Sequence, residues 1–191
     1  EITYYNYLAQ QAGGLSDQMF KEDPYQSNRS RNWFEVDWLL YNIKYKKEFS
    51  EKTNFTFSFF GLEAKRNSLG FRTNRVSQVD SGQERDLIKG DFSNFGFESR
   101  LLSRYKAFKN KSYFLIGLKY YNSNSSSIQG PGSNGSDANF NFQNSLYPNY
   151  NNQSDYTYPN KNIALFGENI FYLTENFSIT PGFRYENIET K

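Results

Sequence analysis

The sequence predicts an all-β fold, an antiparallel meander of about seven strands forming part of a transmembrane β-barrel. Three observations predict it. Apolar and polar residues alternate with period two over several segments. The composition is both polar and rich in aromatic residues. The connections between segments alternate between long and short along the whole chain.

Only 37% of residues are hydrophobic, yet aromatics reach 19%, supplied by 19 Phe, 16 Tyr and 2 Trp. A wall with one face in lipid and one in water suits that mixture, as does an aromatic-dense soluble β domain. Unbroken apolar runs such as Trp38–Tyr41 and Ile170–Leu173 fall far short of the roughly 20 residues that a spanning helix needs. A net charge of +2 gives no reason to expect nucleic acid as a partner. Cys and His are both absent, which removes disulfides, thiolate and imidazole metal sites, and Ser-His-Asp catalysis. No cofactor is expected. The chain begins with Glu1 and shows no apolar leader, so the expectation is a processed chain or an internal fragment.

The strands are expected at residues 2–11, 33–48, 54–65, 91–107, 112–123, 161–173 and from 177 onward. The first is Tyr-rich and ends at Gly13-Gly14. In the second, Phe34, Val36 and Trp38 share a face, but lower down Leu39, Tyr41, Ile43 and Tyr45 share one. The apolar phase therefore shifts by one residue, through a bulge or through passage from the membrane into an extracellular extension. The third alternates Phe55, Phe57 and Phe59 with polar residues. The fourth sets Phe95, Phe97, Leu101 and Tyr105 against Glu98, Arg100 and Arg104. The fifth puts Phe114, Ile116, Leu118 and Tyr120 on one face. The sixth is apolar toward its end, and the seventh opposes Phe177, Ile179, Phe183 and Tyr185 to Arg184 and Glu186.

Short turns are expected at Ser50–Thr53, Lys109–Lys111 and Thr174–Asn176, with long polar connections between the other strands. Outer-membrane barrels require this order, because periplasmic turns are tight and outward loops are long. A soluble β-sandwich or propeller also alternates apolar and polar residues. The two differ in a visible way. A barrel leaves Phe114, Ile116, Leu118 and Tyr120 on a bare apolar band, whereas a sandwich packs them under a second sheet.

Two stretches carry a family resemblance. One is Gly13-Gly14-Leu15-Ser16-Asp17-Gln18-Met19-Phe20, with Asp23-Pro24, Ser27-Asn28-Arg29 and Arg31-Asn32-Trp33-Phe34. The other is Leu165-Phe166-Gly167-Glu168-Asn169-Ile170-Phe171, with Leu173-Thr174-Glu175 and Thr180-Pro181-Gly182-Phe183-Arg184-Tyr185-Glu186. The second resembles the strand-turn-strand of TonB-dependent outer-membrane receptors in general. The first resembles the ferric citrate (iron dicitrate) receptor-like group within them. The resemblance implies a 22-stranded barrel filled by an N-terminal plug, worked by the TonB complex of the inner membrane. It implies location in the bacterial outer membrane, contact with lipid and lipopolysaccharide, and import of an iron chelate without chemical reaction. No plug, no TonB-contact segment and no closing strand is legible, so the chain is expected to be a partial receptor barrel across 1–191. Such a piece alone would expose two unpaired edges. In this setting Pro181 belongs at a bulge or strand end, and Arg184 and Glu186 point inward.

Residues 65–90 carry Lys65, Arg66, Arg72, Arg75, Arg85 and Lys89 against Asp80, Glu84 and Asp86, and the first loop adds Arg29 and Arg31. Residues 124–160 carry no Lys or Arg. A planar guanidinium pairs two carboxylate oxygens at once. Arg29, Arg31, Arg66, Arg72 and Arg75 are therefore the candidate residues for an outward-facing anionic chelate. Pairing with loop acids or lipopolysaccharide phosphates is the competing role for each. The stretch Gly132–Asn139 lacks the carboxylates of a calcium loop. Other readings remain at this stage: an importer of another nutrient such as a vitamin or glycan, a secreted β-rich binding protein, or an outer-membrane enzyme.

Overall fold

The computed structural model describes every residue except Ala12, Asn74, Phe108, Lys109 and Lys191. The strands are β1 (Ile2–Gln10), β2 (Trp33–Ser50), β3 (Thr53–Gly70), β4 (Asp86–Ala107), β5 (Asn110–Pro131), β6 (Ser154–Tyr172), β7 (Ser178–Ile179) and β8 (Gly182–Thr190). They form one antiparallel sheet in which β1 to β6 pair in sequence order, and β7 and β8 both pair with β6. The expected seventh strand is thus split, and the break falls at Thr180-Pro181. A proline has no N–H for the ladder. Its carbonyl still accepts from the Asn169 amide at 2.9 Å, which keeps the two pieces in line.

Strand pairing assigns the two faces, because directly opposed residues point the same way. The row Tyr45, Phe57, Ser99, Leu118, Leu165, Tyr185 runs across the sheet on one face. The row Lys46, Thr56, Arg100, Gly117, Phe166, Arg184 runs beside it on the other. The first face carries a girdle of rings. Tyr41 and Phe59 lie 5.8 Å apart, Phe57 and Phe97 6.0 Å, and Phe97 and Tyr120 5.5 Å. Phe114 is 36% exposed and Leu118 40%, and no second sheet covers them among the described residues. We call this apolar face outer and the charged face inner. Arg184 and Glu186 lie on the inner face and pair at 2.8 Å.

The strands are longer than the alternation suggested. β3 continues to Gly70, β4 begins at Asp86, β5 continues to Pro131 and β6 begins at Ser154. At about 3.3 Å per residue, the 22 residues of β5 reach about 70 Å, well over a tilted crossing of a 30 Å hydrocarbon layer. The upper parts of the long strands β2 to β6 exceed that length, and the regular apolar–polar alternation stops there. The phase shift in β2 falls at the same level. Pairing of β2 with β1 and with β3 is continuous through Trp38 and Leu39, so no bulge lies there; the register shift is at Glu48/Ser50. Phe34, Val36 and Trp38 point inward from the extension, and Leu39, Tyr41, Ile43 and Tyr45 point outward into the band.

The first short connection is Glu51-Lys52 and the third is 173–177, closed by the amides of Leu173 and Thr174 donating to Phe177 O at 3.0 and 3.2 Å. Of the second expected turn, Lys109 lies outside the described residues, and Asn110 and Lys111 belong to β5. The long connections are 11–32, 71–85 and 132–153, all at the opposite end of the sheet. The first contains a short helix, α1 (Asp17–Glu22), where the polar sequence predicts only loop. Ser16 caps it, its hydroxyl accepting from the Met19 amide at 3.3 Å. The third folds over the outer side of the strand tops. There the Trp33 indole donates to Ser136 O at 2.8 Å, and Leu69 and Leu87 are fully buried. It then crosses the rim, and Tyr150 reaches the inner side. Among the described residues there is no layered core, and the buried hydrophobic side chains are Val36, Ala64, Leu69, Leu87 and Ala164.

Candidate anion-binding site

The three long connections are knit together by arginines. Gly13 has φ +71°, which favours glycine, and a Cβ there would lie 2.7 Å from Asn28 Oδ1. The gap is filled by Arg29, only 4% exposed. Its guanidinium lies 5.4 Å from the centre of the Phe71 ring and donates to Asn28 O at 2.6 Å and, at the margin of hydrogen bonding, to Arg75 O at 3.3 Å. The Asn28 side chain donates to Val76 O at 2.8 Å, and the Phe71 amide donates to Asn32 Oδ1 at 2.8 Å. The motif Gly13-Gly14 … Asn28-Arg29 is thus a clasp between the first two loops.

Arg31 makes a two-pronged pair with Asp80 at 2.9 and 2.5 Å, and donates to Gln83 O at 3.1 Å and to Asn134 O at 2.8 Å. The Arg31 guanidinium holds the Asp80 carboxyl below its ordinary range. Arg85, fully buried, donates to Ser133 O at 2.9 Å, to Arg31 O and Asp137 O at 2.8 Å each, and to the Ser133 hydroxyl at 2.6 Å. Burial lowers its pKa, opposed by the nearby Asp137 carboxylate. Arg85 escapes a reading by charge because a buried loop arginine looks like any other in sequence.

Two cavities open beside this knot. A smaller one, about 340 Å³, is lined by Gly13, Gly14, Arg29, Arg72, Thr73 and Arg75, among others, and no carboxylate lines it. A larger one, about 670 Å³, shares Arg72 and Thr73 and adds Asp86, Gln129, Asn152 and Tyr156. Both volumes suit a small-molecule site, about 300–1,000 Å³. Asp86 is buried and saturated: Gln129 Nε2 donates at 2.9 and 3.0 Å, Tyr150 Oη at 2.7 Å and Arg72 at 3.1 Å. Burial first, and then the bond to Asp86, push the Tyr150 hydroxyl well above its ordinary range. Arg72 gives Asp86 one nitrogen, and its side chain remains 60% exposed.

The five candidate arginines therefore differ. Arg29, Arg72 and Arg75 meet at the smaller cavity. Arg31 stands apart in the knot, and Arg66 lies lower, on the inner face of β3, 5.6 Å from the centre of the Phe92 ring. Arg29 and Arg31 spend their donors on the fold. The guanidinium groups of Arg66 and Arg75 make no hydrogen bond or ion pair with any described residue. The basic stretch 65–90 is not one loop, since Lys65 and Lys89 stand on the outer face of β3 and β4. A separate depression of about 440 Å³ lies on that outer face beside Asp37, Glu63, Lys65 and Asp91, away from the arginine cavities.

No protein-family model and no curated protein matches the sequence. Solved structures do match the fold. The ferric citrate transporter FecA in the unliganded form superposes with a TM-score of 0.74 at 19% identity, over 99% of this chain and 26% of that one. BauA, the ferric preacinetobactin receptor of Acinetobacter baumannii, gives 0.58 at 11% identity over 84% and 25%. FpvA of P. aeruginosa, solved with a heterologous pyoverdine and iron, gives 0.51 at 10% identity over 84% and 22%. All three are TonB-dependent β-barrel receptors. The chain spans about a quarter of the length of the structures it matches. Its fold is that of a stretch of TonB-dependent receptor barrel wall.

Proposed function

We propose that the chain is a wall segment, with three outward loops, of an outer-membrane importer for an anionic ferric chelate, ferric dicitrate or a siderophore-like anion. The observation that carries this is the smaller cavity, where Arg72 and Arg75 open onto a space lined by no carboxylate, at the top of a wall whose outer face is an apolar band. Arg29 adds charge from below while its donors hold the floor. The apolar girdle sits in lipid, with lipopolysaccharide above it. The drive for transport comes through a plug and the TonB complex, both lying outside this chain. The role is binding and passage, with no bond made or broken in the cargo.

A charged hydrogen bond contributes about 1.5–3 kcal/mol. Removing the exposed Arg72 and Arg75 together should therefore weaken chelate binding by at least about tenfold. The experiment is equilibrium binding of radio-iron dicitrate and of an anionic siderophore to the full-length protein, wild type and R72A/R75A. Unchanged affinity for both would remove the reading. Binding of an uncharged vitamin or glycan that the double variant leaves intact would favour import of another nutrient.

A further inference from the structure

The inner face above the membrane band is built differently from the inner face within it. Within the band it mixes rings such as Phe60 and Phe166 with many charges, and the arginines beside Phe166 are paired, Arg100 with Glu98 and Arg184 with Glu186. Above it, two neighbouring rows run Trp38, Ala64, Phe92, Ser125, Tyr158 and Val36, Arg66, Gly90, Ser127, Tyr156. Arg66 is the one cation in these two rows and stands near their centre.

Its setting is specific. Gly90 lies opposite Arg66, and a Cβ there would come within 3.0 Å of the Phe92 ring. The missing side chain lets that ring lie along the sheet. Arg66 is exposed, its guanidinium 5.6 Å from the ring centre and making no hydrogen bond or ion pair with any described residue. A ring below leaves the guanidinium edge and upper face open. Trp38 is 36% exposed, Tyr156 55% and Tyr158 53%, and the two tyrosine rings stack at 6.1 Å. Rings with polar tips tolerate water until a partner arrives and lose little rotamer freedom when it does.

We propose that this plate binds an aromatic, anionic-oxygen part of the cargo, such as a catecholate or aryl carboxylate. The anionic oxygens meet the edge of Arg66, and the aryl ring lies against its open face, with Trp38 and the Tyr156–Tyr158 pair to either side. This rests on the reading of the chain as part of an anionic chelate importer and narrows its cargo to chelates that carry a ring.

The test is equilibrium binding by the full-length protein of two probes of one charge sign, a ferric tris-catecholate and ferric dicitrate. The variants are R66A, F92L and G90V. The expected result is that the ferric catecholate binds more tightly and loses at least about tenfold in affinity with R66A and severalfold with F92L and G90V. Ferric dicitrate should change by less than about twofold with F92L. Equal losses for both probes, or no loss for the catecholate, would overturn the proposal and leave the importer reading standing. If neither probe binds the wild type while its barrel is folded, both fail. The conservative variant F92Y keeps a ring and should retain catecholate binding, which separates recognition from misfolding.

Discussion

Replacing Arg85 by alanine should release the third loop while leaving the sheet intact. The wild-type side chain is fully buried and supplies four hydrogen bonds, to Ser133 O, Arg31 O, Asp137 O and the Ser133 hydroxyl. The Ser133 carbonyl keeps a weak second donor, the Arg85 amide at 3.3 Å. Two carbonyls, of Arg31 and Asp137, are therefore orphaned outright. At about 1–3 kcal/mol for each buried unsatisfied group, less what entering water recovers, R85A should cost about 3–4 kcal/mol of loop docking. Lysine offers a point charge in place of a planar fork, so R85K should recover only part. The strands pair through their backbones and carry no Arg85 contact below the rim, so the barrel should remain folded. The assay is hydrogen exchange and limited proteolysis of 132–153 in the full-length protein in lipid, beside the gel mobility of the folded barrel. Protection of 132–153 within twofold of wild type in R85A would refute the reasoning.

Other consequences follow from the same geometry. On the outer face, Leu118→Arg should destabilise the folded barrel by about 2–4 kcal/mol, whereas Leu115→Arg on the inner face, opposite Glu168, should cost less than about 1 kcal/mol; denaturant unfolding in lipid measures both. Asp80 has its pKa lowered by Arg31, so its contribution is complete above the unfolded value of about 3.9 and fades as pH falls through the lower folded one. Exchange protection of 71–85 should accordingly hold from neutral pH to about pH 4 and fall below it, and Asp80→Asn should flatten that acid limb.

Much of the wall was readable because, in the membrane setting proposed above, lipid imposes a rule on side chains. Phe55, Phe57, Phe59 and Phe114–Tyr120 alternate since one face must be apolar, and the connection lengths sort since the two rims differ. Where lipid stops, the rule stops. Residues 124–127 and the upper ends of β3, β4 and β6 show no sustained apolar alternation, so they read as loop. The helix α1 escaped notice since six residues show no apolar period and Ser16 caps without a partner acid at Met19. The arginines were visible as charge, but their division of labour was not. Whether a loop arginine grips carbonyls, as Arg29 and Arg85 do, or stands open, as Arg75 does, depends on contacts across Gly13, Val76 and Ser133 that no local pattern records. Asp86, Gln129 and Tyr150 were missed for the same reason: their meeting is made by folding.

The account rests on the two faces of one tall sheet, and β5 tests that most directly. The chain contains no Cys, so single cysteines can be placed along 112–127 of the full-length protein without a background. Spin labels there report access to oxygen in lipid and to a polar relaxing agent in water. The account predicts high oxygen access at 114, 116, 118 and 120 and low access at 113, 115, 117 and 119, followed by loss of the lipid signal on both faces from 122 upward. Uniformly low oxygen access at 114–120, as under a second sheet, or alternation that continues unchanged through 127, would contradict it.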